Sequence, residues 1–230
     1  MNFIRKIYRH KDIFNIQAKI NMLGNTKWDA IKFMNYRLLS TIIFTIIIVV
    51  FTNLNYLLIP FLIIIYYYLF YYFVITVNIK KRIKKLDREA LYFFEVLTLT
   101  LESGRNLVNS IEMTAENVDS ELSNEFRCAI MELKYGKSLN EALENLKLRI
   151  PSETINNIIL NITQTSVFGN SIIDTMNNQI EFLRDKQVLS IKEQINKIPN
   201  KVSIVSVIFV IPLILLLILG PILIKFLLKG

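Results

Sequence analysis

The sequence has very few of the side chains that form metal sites, disulfides and nucleophilic active sites. Its 230 residues include one histidine, His10, and one cysteine, Cys128. One thiol cannot form an internal disulfide, and one histidine in the N-terminal lead cannot provide a multi-histidine metal site or a catalytic triad farther along the chain. No phosphate-binding glycine loop and no Cys-x-x-Cys pair occurs. We therefore expect no catalytic residue, no cofactor and no metal, and a protein that is not an enzyme.

Glycine is also scarce, with six residues in the chain, yet three of the six occur in the same context. Gly104, Gly136 and Gly169 are each followed by apolar residues three and seven positions later, and they are separated by 32 and 33 residues. This length fits a pair of antiparallel helices joined by a glycine just after the first helix. The spacing predicts a series of αα-hairpins with these glycines at the helix turns. The alternative is that each glycine simply ends a helix.

Helical periodicity is clear between residues 86 and 200. Apolar residues recur every three or four positions, as on a helix with one buried face. Cys128 sits on one such apolar stripe, so we expect it to be a small buried hydrophobic side chain. Ser138 followed by Glu141 is the pattern of a capping box, and Ser152 after Pro151 is suited to begin another helix. The clearest stripe comprises Leu122, Phe126, Ala129, Ile130 and Leu133.

Three long apolar runs bound this block. The chain is 53% hydrophobic with a mean hydropathy of +0.40, which is typical of an integral membrane protein. Residues 38–52 and 54–77 predict a transmembrane hairpin, in which the first helix extends toward residue 33 to reach the ~20 residues needed to span a bilayer. Residues 202–224 predict a third span.

The third span contains residues that usually interrupt helices. Pro212, Gly220 and Pro221 lie within it. Membrane helices tolerate such residues where neighbouring protein groups bond the freed carbonyl oxygens. We expect a kinked membrane helix that packs against protein.

Basic residues collect beside the apolar runs. Residues 1–37 hold eight basic and two acidic side chains, and five of the six residues 80–85 are basic. Such a run could bind nucleic acid, but the positive-inside rule explains it more economically. The sequence therefore predicts a multi-pass membrane protein, with the N-terminus and the helical block in the cytoplasm and the short C-terminal tail outside.

The block between the spans has the opposite charge. Residues 86–200 contain eleven basic and seventeen acidic side chains, a net charge of −6. An acidic surface disfavours nucleic acid and is compatible with a protein partner that presents basic patches. We consider Glu121, Glu125, Glu141 and Glu144 a candidate partner-docking surface, the alternative being an ordinary solvated helix face.

These features divide the chain into four parts. Residues 1–37 form a basic and possibly amphipathic cytoplasmic lead, and residues 38–79 the transmembrane hairpin. Residues 80–200 form a cytoplasmic helical bundle, and residues 201–230 a C-terminal transmembrane helix with a short tail. The predicted fold class is an all-α membrane protein.

The order and spacing of these segments resemble the platform proteins of the type II secretion system F family, in particular the TadC-like members of tight-adherence (Flp-type) pilus systems. The resemblance covers roughly residues 38–228. It is carried by the segments 101–107, 133–143 and 168–172 around the three glycines, and by the ending Ile198-Pro199-Asn200-Lys201, Ile211-Pro212 and Leu219-Gly220-Pro221.

The resemblance implies a non-enzymatic inner-membrane platform. Its expected partners are a hexameric secretion ATPase, a second platform subunit or another copy of itself, pilin subunits and the lipid bilayer, with no nucleic acid. A membrane-tethered helical adaptor that recruits a soluble regulator is the main alternative. A transporter subunit is disfavoured because the apolar runs lack the ionisable residues that usually mark a transport pathway.

Overall fold

The computed structural model describes residues 10–24, 28–51, 59–168 and 172–227. These residues form helices and short connections, without a strand in the described ranges, and the predicted all-α fold class is confirmed. A π-helical turn, Tyr72–Thr76, joins the third helix to the fourth. The α-helices are α1 His10–Asn21, α2 Ala30–Phe51, α3 Ile59–Tyr71, α4 Val77–Glu102, α5 Leu107–Asn117, α6 Glu121–Lys134, α7 Leu139–Arg149, α8 Glu153–Phe168 and α9 Ile172–Leu227.

Two helical stretches near the N-terminus are long and apolar enough to cross a membrane. They are Ala30–Val50 in α2 and Pro60–Glu102, which includes α3, the π turn and α4. Helices α2 and α3 pack together, with the rings of Phe44 and Tyr66 stacked at a centroid distance of 4.0 Å. Many of their other apolar side chains are exposed, as expected for a surface that lipid would cover.

The second apolar stretch continues into the helical bundle without an intervening loop. The π turn contains one residue more per turn than an α-helix, so it rotates the side chains of α4 relative to those of α3. Ile75 in this turn is buried. The predicted boundary between residues 79 and 80 falls inside this continuous helical stretch, and the division into four parts stays a prediction.

By its contacts the chain divides into two compact units, Met1–Ile180 and Glu181–Gly230. In the first unit, α4 to α8 and the start of α9 enclose an apolar core. Three aromatic rings lie at its centre: Phe93 stacks on Phe126 at 4.5 Å, and Phe94 meets both edge-on. Burial of one such ring contributes about 2–3 kcal/mol. The other buried apolar residues described in α6 to α8 are Leu122, Ala129, Ile130, Ala142, Leu143, Leu146, Ile155, Ile158, Ile159 and Ile162.

The expectation that Cys128 is buried is wrong, because its side chain is exposed. The buried face of α6 runs through Leu122, Phe126 and Ala129. Cys128 follows Phe126 by two residues, a rotation of about 200° around the helix, which turns it away from the core.

Helix α9 starts in the first unit and forms the described part of the second. Met176 and Ile180 near its start are buried. Pro199, Pro212 and Pro221 all lie within the helix, as does Gly220. The predicted third span falls in its C-terminal part, where Ser206–Leu219 is an apolar stretch shorter than the two N-terminal ones.

Candidate functional site

Two of the three glycine turns adopt the left-handed conformation that favours glycine. The φ angles are +84° at Gly104, after α4, and +92° at Gly136, after α6. Gly136 N–H donates to Leu133 O (2.9 Å), and Lys137 N–H donates to Glu132 O (3.1 Å). These two bonds form a Schellman motif, which satisfies carbonyl groups at the end of α6. Gly169 lies outside the described residues.

The residue two positions after each described glycine is the N-cap of the next helix. Asn106 Oδ1 accepts from Asn109 N–H at 2.8 Å. Ser138 and Glu141 form a complete capping box, with each side chain accepting from the backbone N–H of the other residue. The helices then start three residues after the glycines, at Leu107 and Leu139. The apolar residues at the seventh position, Ile111 and Leu143, are buried.

Helix α9 has the same register relative to Gly169. It starts at Ile172, three residues after this glycine, and Met176 at the seventh position is fully buried. In all three motifs, the residue seven positions after the glycine is therefore buried in the core. The helix pairs α4–α5, α6–α7 and α8–α9 correspond to the repeat length of 32 and 33 residues.

The four glutamates of the candidate docking surface do not lie together on one solvent-facing patch. Glu121 and Glu125 are on α6, and the Glu125 side chain is only 12% exposed. Both bind arginine side chains within the protein. Glu141 and Glu144 are on α7, where Glu144 is exposed and pairs with Lys147 at 2.7 Å. The geometry gives Glu121 and Glu125 an internal bracing role and leaves Glu141 and Glu144 at the surface.

The two carboxylates of α6 bind the same residue, Arg82, a buried arginine near the start of α4. Its Nε lies 2.6 Å from Glu121 Oε1, and its Nη2 lies 2.5 Å from Glu125 Oε1. Its Nη1 donates to the backbone carbonyls of Met22 and Arg149, both at 2.8 Å. One guanidinium therefore joins α4 to α6, to the end of α7 and to the end of α1.

A second arginine extends this network along α6 and α7. Arg149 Nε lies 3.0 Å from Glu125 Oε2, and its Nη1 lies 2.6 Å from Glu132 Oε1. Glu132 also accepts from Asn145 Nδ2 at 2.6 Å and pairs with Lys137 Nζ at 2.8 Å. We refer to Arg82, Glu121, Glu125, Glu132 and Arg149 as the arginine cluster.

Hydrogen bonds in the arginine cluster lower the pKa values of two of its carboxyl groups, those of Glu121 and Glu132. Burial alone raises the pKa of Glu132, but the bonds from Lys137, Asn145 and Arg149 outweigh it and lower this pKa to about 2. Burial also opposes ionisation of Glu121, and the bonds from Arg82 and Lys85 bring its pKa below the usual value. Such buried charges are tolerated only when their partners are present.

The turn after α1 is shaped around Arg82. Gly24 has a φ of +88°, and a Cβ placed there would lie 3.1 Å from the guanidinium carbon of Arg82. A side chain at this position would have to displace the arginine. Helix α1 is held in turn by an apolar cluster of Ile20 with Phe33 and Met34 of α2 and Ile75 of the π turn. The end of α1 is thereby fixed beside the start of α4.

Sequence reasoning missed the special position of Arg82. The positive-inside rule explains all five basic residues of the run 80–85 alike, so it gives no reason to single out one of them. The signal was helical register, because Arg82 lies four residues before Leu86 and eight before Ala90, on the buried face of α4. A basic residue in line with a buried stripe needs acidic partners from another helix.

The arginine cluster connects several helices through directional bonds. Within the described ranges, no group of three or more His, Cys, Asp or Glu side chains is placed to hold a metal ion. The arginine cluster joins α1, α4, α6 and α7 at Arg82, within Pro60–Glu102 and shortly after its apolar part. A movement of α6 and α7 would therefore also displace α4, which continues from the apolar helix α3.

Comparison with known proteins assigns the family. A family model described as type II secretion system (T2SS), protein F, matches residues 93–220, which is more than half of the chain. No curated protein and no solved structure matches the chain. The family and the two apolar helices together indicate a membrane protein, and the family points to a platform protein of a type II secretion or type IV pilus system. The chain belongs to the type II secretion system protein F family.

Proposed function

We propose that the protein is an inner-membrane platform subunit of a Tad-like (TadC-like) pilus or a type II secretion machine. In this proposal it contacts a hexameric secretion ATPase in the cytoplasm and transmits the movements of that motor to pilin subunits in the membrane. It acts with a second platform subunit or another copy of itself, and it catalyses no reaction. The N-terminus and the bundle face the cytoplasm, as the basic flanks of the apolar stretches favour.

The observation that carries this proposal is the continuous helix that joins membrane and bundle. Pro60–Glu102 comprises 43 residues, about 65 Å at the rise of an α-helix. The arginine cluster binds this helix through Arg82, just past the apolar part of the helix. Tightly packed helices move as rigid bodies because their interfaces have few alternative packings. A stroke applied to the bundle would then displace the membrane helix.

The motor-docking face proposed here is on α7. Glu141, Glu144 and Leu148 follow one another at spacings of three and four residues, so they share one face of the helix. All three are exposed, and Leu148 is 68% exposed. An exposed leucine that follows two carboxylates on the same helix face suits a partner surface that combines an apolar pocket with basic residues.

The test is in-cell photocrosslinking from position 144, with mass spectrometry of the adducts. We expect adducts that contain a secretion ATPase. The matched control is position 116, because Glu116 is an exposed carboxylate on a different helix, α5. Position 116 should give few or no ATPase adducts. Adducts from position 144 with a soluble regulator, and with neither an ATPase nor a platform homologue, would instead support a membrane-tethered adaptor.

A further inference from the structure

A cavity of about 450 Å³ lies where α1, the start of α2 and the start of α4 meet. One part of its lining is apolar and comes from Ile20, Phe33 and Val74. Another part is basic and comes from Lys81, Arg82 and Lys85 on α4. The volume is within the range of ~300–1,000 Å³ that is usual for small-molecule sites.

The side chains around the cavity are of the types that collect at the level of lipid headgroups. The residues of the cavity come from the segment around the start of Ala30–Val50 and from residues 74–85, where the apolar part of Pro60–Glu102 is followed by the basic run. Trp28, which also lines the cavity, is 43% exposed. Lys19 Nζ donates to the Tyr71 hydroxyl at 2.7 Å close by. Tryptophan, tyrosine and lysine side chains collect at the boundary between hydrocarbon and water.

The charges in the cavity leave a place for an anion. Arg82 donates to Glu121, Glu125 and two backbone carbonyls. Glu121 lines the cavity too, but Arg82 and Lys85 neutralise it. Among the described residues Lys81 has no acidic partner within 4.0 Å, and the Lys85 side chain is 57% exposed. The lining therefore has a net positive charge with one unpaired ammonium group.

We propose that this cavity binds the headgroup of an anionic phospholipid. Lys81 binds the phosphodiester, and Ile20, Phe33 and Val74 cover the glycerol and the first carbons of an acyl chain. A free phosphate ion would use only the basic part, whereas a phospholipid uses both parts. A bound lipid would fill the space between α1 and α4 next to the arginine cluster.

The single tryptophan of the chain provides the assay, because Trp28 is in the lining. The full-length protein is placed in nanodiscs of phosphatidylcholine that contain increasing fractions of phosphatidylglycerol brominated on its acyl chains. We expect quenching of Trp28 fluorescence that saturates at a low fraction of the brominated lipid. Brominated phosphatidylcholine at the same fractions should quench less and without saturation.

Lys81→Gln tests the phosphate contact, and Lys80→Gln is its matched control. Both lysines are exposed neighbours on α4, but only Lys81 lines the cavity. We expect Lys81→Gln to weaken the preference for phosphatidylglycerol about fivefold and Lys80→Gln to leave it nearly unchanged, since one lysine near an anionic surface contributes about this much. If the two variants have equal effects, the lipid is attracted by the general positive charge of the surface and not by this cavity. That result would overturn the proposal.

Inorganic phosphate separates a lipid from a free anion as the ligand. Millimolar phosphate should leave the quenching by brominated phosphatidylglycerol unchanged. Displacement of the lipid by phosphate alone would show that the cavity is an anion site without a lipid requirement, and it would overturn the proposal. Unfolding temperatures of both variants in detergent verify that the substitutions leave the fold intact.

Discussion

Arg82 and Arg149 bind the same carboxylate through different oxygen atoms. Arg82 Nη2 lies 2.5 Å from Glu125 Oε1, and Arg149 Nε lies 3.0 Å from Glu125 Oε2. Arg82 also binds the backbone carbonyl of Arg149, so the two arginines are connected twice. The three residues come from α4, α6 and α7. The position of α4 in the bundle is therefore set by directional bonds as well as by apolar packing.

Replacing Arg82 with methionine should destabilise the protein by about 3 kcal/mol. The change keeps side-chain bulk but leaves Glu121 and Glu125 partly unpaired in a covered site, and loss of one member of a buried ion pair costs about 3–5 kcal/mol. Chemical unfolding of the detergent-solubilised protein, followed by circular dichroism, measures the difference. Arg88→Met is the matched control, because Arg88 is exposed on the same helix and bonds only the Lys84 carbonyl in the contacts described. A similar loss in both variants would show that Arg82 has no special role.

The stability of the bundle should depend on pH through Glu132. Its pKa of about 2 in the folded state is below the ordinary value of 4.5. A carboxylate with a lowered folded pKa contributes stability that is complete above about pH 4.5 and disappears as the pH falls toward 2. Glu132→Gln removes this contribution, at a cost of about 1–2 kcal/mol at neutral pH because part of the pairing is screened by solvent.

Unfolding temperatures of wild type and Glu132→Gln, measured between pH 7 and pH 3, test this dependence. The difference between the two proteins should be constant down to about pH 4.5 and then shrink. Asn145→Ala removes one bond that stabilises the carboxylate and so raises its folded pKa. It should therefore reduce the contribution of Glu132 at neutral pH and raise the pH at which that contribution is completely lost. A difference that stays constant down to pH 3 would contradict the assignment.

Gly136→Ala should cost about 1 kcal/mol because of backbone conformation alone. The glycine has a φ of +92°, and no heavy atom lies within 4 Å of the place a Cβ would take. Steric crowding is therefore absent, and the cost is that of a β-carbon residue in the left-handed region. Tyr135→Ala is the control, since Tyr135 is the adjacent residue, is 88% exposed and has a negative φ. If thermal unfolding of Gly136→Ala matches wild type, the turn has relaxed into another geometry.

Much of the bundle could be predicted from local sequence. The Ser138 capping box and the start of helices after Gly104 and Gly136 depend on residues within a few positions of one another. The arginine cluster could not be predicted in this way, because it pairs Arg82 with residues that approach only after α4, α6 and α7 have packed. In the sequence, Glu121 and Glu125 resemble surface carboxylates, because nothing near them in the chain indicates that Arg82 and Arg149 will bind them. The error at Cys128 has a local cause, an offset of two residues from the buried stripe.

The exposed Cys128 provides a direct measurement of membrane orientation. It is the only cysteine in the chain and lies on the bundle, so its reactivity reports the side of the membrane on which the bundle is found. With the bundle in the cytoplasm, we expect a membrane-impermeant maleimide to label Cys128 in permeabilised cells and not in intact ones. A Cys128→Ser variant that carries a cysteine at Tyr135, an exposed residue of the same helix, should give the same pattern. Labelling of both proteins in intact cells would place the bundle outside. It would also contradict the docking of a cytoplasmic motor, because an ATPase could not then reach α7.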